Sequence, residues 1–552
     1  MLTVEASIMK IVIVGGVAGG ASAAARLRRL DEQAEIVLFE RGENVSFANC
    51  GLPYHVGGVI AERDDLLVMP PARFKGRLAV DLRIRHEVVS IDRAAHVVRY
   101  VNLATGETGS ETYDKLLLAT GSTPLRPPLP GIHDPDVLPL WTMGDMDAIK
   151  ARAEGETRRA VVVGGGFIGL EAAENLRHRG VAVTLVELLP QVLPTLDAEL
   201  ATLLHEELEQ NGVALRLGAA VEGFERTDKN RLIVRLRGGE AVETDLVVLS
   251  IGVRPNAELA KAAGLRTGDR GGIVTDGTMR TDDPDIYAVG DAVQVTDPVL
   301  GVPTQIPLAG PANKQGRLAA EAMTGVPVAP YRGTWGTAIV KIFGLAAASV
   351  GASEKVLKRA GVAFEKIYLH PFSHATYYPG AQMMHLKLLF TREGRILGAQ
   401  IVGRDGVDKR IDVVATAMQA GLTVTDLARL ELAYAPPYGS AKDPVNFAGF
   451  VAENVLTGKS RLAYPDALPE GACLLDVREP AECERGTLPG ALTIPLGQLR
   501  KRLDELPRGR PIVAYCAVGL RGYLAERILR QNGFDVRNLS GGFTTWRQFQ
   551  SI

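Results

Sequence analysis

Short apolar runs, each broken by glycine, recur along this chain. Residues 10–14, KIVIV, are followed at once by GGVAGG and then by ASAAARLRRL, whose apolar positions return at helical spacing. IVLFE (36–40) is a second apolar run and ends in an acid. Runs of this length bounded by turn residues predict buried parallel strands. The order is therefore strand, glycine turn, helix, strand, acid. The same order returns complete in AVVVGGGFIGLEAAENLRHRGVAVTLVE (160–187). YDKLLLATGSTP (113–124) and TDDPDIYAVGDAV (281–293) each predict one more buried strand ending in a turn of small residues. Residues 331–458 carry helix and strand patterns but no such glycine turn. Past LTGKSRLAYPDALPEGA the texture changes. LLDVREPAECERGTLPGALTIPL (474–496) predicts a strand, a turn, a short helix and a Pro-Gly turn into another strand. IVAYC (512–516) predicts a further strand, followed by the loop AVGLRG, a helix over 523–531 and a terminal NLSGGFTTW segment.

Composition narrows the class. A chain of 552 residues predicts three or four domains. Hydrophobic residues at 46% and charged residues at 23% fit a globular protein with ample core. Lys and Arg number 62 against 64 Asp and Glu, for a net charge of -2. That balance argues against a nucleic-acid surface or a polybasic membrane anchor. Four cysteines cannot form a secreted disulfide framework and read as thiols of a reducing cytoplasm. The opening MLTVEASIMK lacks the pattern of a signal peptide. Later apolar runs stop well short of the ~20 residues a membrane span needs. The expectation is a soluble, cytoplasmic, multidomain α/β protein.

The repeated unit is the dinucleotide-binding arrangement, in which unpaired N–H groups at a helix N-terminus face a pyrophosphate. In the first copy Gly15 makes the tight turn, Gly20 permits close packing and Glu40 accepts from a ribose hydroxyl. Val17 departs from the pattern, standing where the middle glycine is expected. The second copy has Gly164, Gly166 and Gly169 in full G-x-G-x-x-G register, with Glu187 as its acid. An acid there favours NADH over NADPH, whose 2′-phosphate would meet a like charge. The Ala-Thr120-Gly121 turn and the Gly290-Asp291 pair resemble motifs of the two-dinucleotide flavoprotein oxidoreductases. That resemblance implies FAD on the first unit, NADH on the inserted second unit, and Asp291 on a ribityl hydroxyl of the flavin.

SFANCGLPY (46–54) follows the first unit closely, and the next cysteine after Cys50 is Cys473. Cys50 therefore has no dithiol partner nearby and works alone or with an external sulfur. A positive group or a helix N-terminus beside it would lower its pKa and make it a nucleophile. The Ser-Phe-Ala-Asn-Cys-Gly context resembles the single-cysteine flavoproteins: NADH oxidases, NADH peroxidases and coenzyme A-disulfide reductases. Asn49-Cys50 and VAGGASAAARLRRL resemble the last of these. In that branch Ser22, Arg26, Arg29, Ser46 and Asn49 correspond to coenzyme A contacts. Arg26 and Arg29 lie i,i+3 on one helix, a spacing suited to a phosphorylated nucleotide. The superfamily places a dimerisation domain over 331–460, so a homodimer is implied. The resemblance further implies that two tyrosines of that domain reach the partner subunit's cysteine, with Tyr377 and Tyr434 the best matches and Tyr378 and Tyr438 close rivals. Asn313 and Lys442 are lesser candidates for coenzyme A or flavin contact. His370 and His374 have no companions to complete a metal set, so no metal site is expected.

The C-terminal segment resembles a rhodanese-like sulfurtransferase domain in its DVR-x-P-x-E opening, its GALTIPL stretch and its cysteine loop. Backbone N–H groups of a loop around Cys516 would stabilise a thiolate or persulfide, and Arg521 adds a charge. Cys473 and Cys483 read as structural. The expected domains are an FAD-binding domain in two parts (9–154 and 256–330), an NADH-binding domain (155–255), the dimerisation domain and a rhodanese-like domain (466–552). The resemblance implies reduction of coenzyme A disulfide, persulfide or polysulfide, with coenzyme A as substrate or sulfur carrier. Two alternatives stand beside it: an NADH oxidase or peroxidase cycling through a Cys50 sulfenic acid, and a redox sensor or sulfur carrier.

Overall fold

A computed structural model describes residues 8–228 and 231–552. Positions 1–7 of the opening segment, read above for signal-peptide character, lie outside the described residues. Chain contacts divide the protein into two compact units, one comprising 1–188 and 218–334, the other 189–217 and 335–552.

In the first unit, five parallel strands lie in the order Ile286–Ala288, Lys115–Leu118, Lys10–Val14, Glu35–Glu40 and Asp81–Ile84. The apolar side chains of the first four are buried, as their unbroken apolar runs require, while Asp81–Ile84 at the sheet edge is partly exposed. The Ala18–Leu30 helix begins directly at the glycine turn and packs on the Ala309–Met323 helix. The approach is backbone to backbone: a Cβ on Gly316 would lie 2.2 Å from the Gly19 carbonyl oxygen. The second glycine turn joins Arg159–Val163 to the Phe167–His178 helix, which returns to Ala182–Glu187. Leu246–Leu249 and Val137–Pro139 extend this second parallel sheet on the other side.

The second unit holds an antiparallel sheet in the order Ala338–Ile342, Leu345–Gly351, Ile396–Gly403, Met384–Phe390 and Glu365–Leu369. Its most unusual member is Lys387, fully buried within an apolar strand. Its ammonium lies 2.9 Å from Asp197, 2.6 Å from Glu199 and 2.7 Å from Glu354. Burial alone would lower the lysine pKa, but the three carboxylates outweigh it and raise it. This acidic trio has the spacing of a cation site, and the lysine is its cation.

A second, parallel sheet in this unit runs Leu462–Ala463, Val536–Leu539, Ile512–Tyr515, Cys473–Asp476 and Leu492–Thr493. This α/β module is docked on the antiparallel sheet. The Ser540 hydroxyl accepts from the Tyr368 N–H (3.0 Å), Lys366 pairs with Asp466 (3.2 Å), and Thr545 meets His370 Nε2 (2.7 Å). Among the described residues, no helix is long and apolar enough to cross a membrane.

Candidate active site

Both glycine turns have the close approaches that the sequence pattern demands. A Cβ on Gly20 would lie 1.8 Å from the Gly15 oxygen, and one on Gly169 would lie 1.9 Å from the Gly164 oxygen. Gly15 and Gly164 both adopt positive φ, 103° and 105°. Gly166 and Gly121 instead face open space, the kind of cradle that a side chain would fill and a phosphate group can enter. Each acid is tied to its own turn: Glu40 accepts from the Gly16 N–H (2.9 Å) and Glu187 from the Gly165 N–H (2.6 Å). Val17 caps the first helix without a side-chain bond. Thr120 is stitched to Asn256 by its hydroxyl (2.6 Å) and by its carbonyl (2.9 Å). Asp291 follows Gly290, accepts from the Ser122 hydroxyl (2.8 Å), and has its carboxyl pKa raised by burial. A cavity of about 630 Å³ in this unit is walled in part by Arg41, Arg126 and Arg254, which suit an anionic occupant. These residues fit a dinucleotide at each turn.

Cys50 lies in a 3₁₀ turn, Asn49–Gly51, leading into the short helix Leu52–Gly57. That helix packs on Phe167–His178, with Gly57 pressed against Asn175. The packing sets Tyr54 against Glu171, whose carboxylate accepts from the phenol at 3.1 Å. Burial pushes the Glu171 carboxyl up to about 7, and Glu174 adds to it. Cys50 is exposed, yet desolvation by its neighbours raises its pKa, with Glu171 and then Asp291 adding to the shift. The lowering cation expected for this cysteine is therefore not what surrounds it: the side chains acting on it are acids. Sequence reasoning missed Glu171 and Tyr54. The signal was an acid two positions past Gly169, on a helix whose facing partner no pattern reveals.

Of the proposed coenzyme A contacts, Ser22 and Asn313 meet through a 2.5 Å hydrogen bond. Arg26 is engaged by Glu321 at 2.6 Å, while Arg29 is exposed. Asn49 reaches the Trp141 carbonyl at 3.4 Å, and Ser46 adopts a positive φ of 49°. In the second unit the Tyr377 and Tyr434 hydroxyls are 2.6 Å apart, which raises the Tyr377 pKa. Tyr378, Tyr438 and Lys442 are exposed.

Cys516 is buried at the base of its loop, and its sulfur accepts the Gly519 N–H at 3.2 Å. Gly519, at φ 99°, starts the Leu520–Gln531 helix three residues earlier than the apolar pattern indicates. Arg521 is thus on the first helical turn. Its guanidinium interacts with the Cys516 sulfur and makes two 2.6 Å bonds to Glu482. The Cys516 and Ala517 carbonyls accept from Phe543 and Thr544, which fixes the loop against the Gly542–Gln550 helix. Cys473 is buried in the sheet, and Cys483 faces Asp476 at 3.5 Å. Asp476 and Arg478 of the DVR opening are themselves paired at 2.6 Å.

Residues 9–316 match the family Pyridine nucleotide-disulphide oxidoreductase, and 337–444 match its dimerisation domain. The chain belongs to the pyridine nucleotide-disulphide oxidoreductase family. Like other members it is an oxidoreductase using FAD and NADH. Residues 462–549 match the rhodanese-like domain. The coenzyme A disulfide reductase of Staphylococcus haemolyticus is 35% identical over 448 residues, covering 81% of this chain and all of that protein. The reduced Bacillus anthracis CoADR-RHD structure matches with a TM-score of 0.96 and 46% identity over 98% of both chains. The NAD-dependent persulfide reductase of A. fulgidus matches at 0.92 and 40% identity, over 98% of this chain and all of that one.

Proposed function

We propose that the chain is a homodimeric, cytoplasmic flavoenzyme in which NADH reduces coenzyme A disulfide, coenzyme A persulfide or polysulfide at Cys50, with Cys516 delivering or accepting sulfane sulfur. The observation that carries this reading is the joint presence of a lone cysteine in the unit with two dinucleotide turns and a second cysteine cradled by backbone N–H. Likeness over nearly the whole chain to a CoADR-RHD and to an NAD-dependent persulfide reductase supports it. The domain limits belong to the proposal: 9–154 and 256–330 for FAD, 155–255 for NADH, 331–460 for dimerisation and 466–552 for sulfur transfer.

Gly15, Gly20, Glu40, Thr120, Gly121 and the Gly290-Asp291 pair hold FAD; Gly164, Gly166, Gly169 and Glu187 hold NADH. Bound there, FAD supplies two-electron exchange between NADH and the sulfur of residue 50. Cys50 thiolate attacks one sulfur of coenzyme A disulfide. A mixed disulfide forms and one coenzyme A thiolate leaves with the electron pair of the broken bond. Ser22, Arg26, Arg29, Ser46 and Asn49 orient the substrate, with Asn313 and Lys442 as lesser contacts to coenzyme A or the flavin. Tyr377 and Tyr434, whose hydroxyls are joined by a hydrogen bond, hand a proton to the departing thiolate at the partner subunit's Cys50. NADH consumption with coenzyme A disulfide as sole acceptor tests the reading. Wild type turns over, and Cys50→Ser falls by about a thousandfold with FAD still bound. Sustained turnover in that variant overturns the mechanism.

A further inference from the structure

The loop around Cys516 reads CAVGLRG, so Arg521 is its only charged residue. Both guanidinium nitrogens bonded to Glu482 lie at 2.6 Å, a bidentate pairing that spends the charge on a carboxylate. Glu482 responds as expected, its carboxyl held down to about 2 by Arg521. Arg478 of the DVR opening is matched in the same way by Asp476. Each of these two cations is therefore matched by its own carboxylate. Beside this neutralised pair, a sulfur donor meets the Gly519 N–H that Cys516 accepts and exposed apolar side chains on the following helix. Leu520 and Leu524 stand i,i+4 on the following helix, 52% and 44% exposed.

We propose that Glu482 sets which sulfur donor Cys516 accepts, by cancelling Arg521, and that the accepted class is an organic persulfide rather than thiosulfate. Thiosulfate is a dianion and expels a sulfite dianion, so it needs uncompensated positive charge. An alkyl persulfide carries one charge, which the Gly519 N–H can serve, and its carbon stem lies on Leu520 and Leu524. In the step, Cys516 thiolate attacks the outer sulfur of R–S–S⁻. A Cys516 S–S bond forms, the donor's S–S bond breaks, and its electron pair leaves on R–S⁻, which takes a proton from solvent. Sulfane sulfur moves without net oxidation or reduction.

The inference rests on residues 462–549 acting as a sulfurtransferase, and its test is independent of NADH and Cys50. Full-length holoenzyme is given thiosulfate or glutathione persulfide with cyanide as acceptor, and thiocyanate is measured above the Cys516→Ser background. Wild type favours glutathione persulfide in kcat/KM by roughly tenfold or more, and Glu482→Gln raises the thiosulfate-to-persulfide ratio by roughly tenfold. The double variant Glu482→Gln/Arg521→Gln returns the ratio to the wild-type value, because the freed charge is gone. A wild-type preference for thiosulfate overturns the proposal whether or not the variants fold. So does an unchanged ratio in folded Glu482→Gln. Transfer from neither donor overturns the sulfurtransferase reading itself, and this inference with it.

Discussion

Cys50 is exposed on a bend beside Glu171 and Asp291, whereas Cys516 is buried with its sulfur on the Gly519 N–H and its carbonyl on the Phe543 N–H. The first environment raises the thiol pKa through acids and desolvation. The second gives the sulfur the Gly519 N–H and pairs the adjacent Arg521 with Glu482. A thiol of the first kind suits a site that is recharged by electrons on every cycle. A sulfur of the second kind suits a site that stores an extra sulfur atom and changes no oxidation state. With the roles proposed above, the chain would separate redox work from group transfer through the surroundings of two like side chains.

The sharpest way to break this contrast is to remove each sulfur in turn. Cys516→Ser should lower coenzyme A-independent sulfide release from polysulfide by about a hundredfold while NADH-dependent reduction of coenzyme A disulfide persists. Equal sulfide release in wild type and Cys516→Ser, with and without coenzyme A, would dissolve the division of labour. Next in size is the cradle. A Cβ on Gly542 would lie 2.3 Å from the Cys516 carbonyl oxygen, at a residue with φ 61°. Gly542→Ala should displace the loop and reduce sulfur transfer by roughly tenfold, read as thiocyanate formation, with the coenzyme A-disulfide rate as the control.

A smaller effect probes the acids around Cys50. Glu171 gains negative charge as pH rises through about 7, and that charge holds the thiol pKa up. Glu171→Gln should therefore move Cys50 alkylation toward lower pH, accelerating iodoacetamide labelling of the reduced enzyme at pH 7.5 by roughly threefold. No displacement of the profile would mean that desolvation alone sets this thiol. The same carboxyl binds its proton more tightly when folded than when unfolded. Its contribution to stability is thus full below the unfolded value and is lost as pH rises through about 7. Thermal melts of Glu171→Gln should lack that part of the decline.

Local chemistry made much of this legible from the chain alone. The strand at Lys10–Val14 and the glycine turns follow from apolar runs and from positions where a Cβ does not fit. Cys516 stood at a strand end because IVAY is uniformly apolar. What escaped depends on pairings between distant segments. Arg521 reads as a free charge until Glu482, 39 positions earlier, is set against it. Glu171 reads as a solvated helix acid until Tyr54 packs on it. Lys387 is visible as a lysine in an apolar run, but its three carboxylates come from two other helical segments. Tyr377 and Tyr378 are adjacent, and only the fold distinguishes which phenol meets Tyr434.

The contact between the antiparallel sheet and the C-terminal module bears on how such fusions can be recombined. Ser540, Thr545 and Gln548 of the module bond to Tyr368, His370 and His385 of the sheet, and the helix–strand connection between them spans only 457–461. Thr545 also packs under Gly541, next to the glycine that supports the Cys516 loop. A foreign sulfurtransferase grafted at residue 460 would bring its own active loop but not this underside. Buried His370 and half-buried His385 would lose their partners, and the graft would hang from a short tether. Successful chimeras of this architecture should therefore be those that carry the docking helix, Gly542–Gln550, along with the sheet it grips.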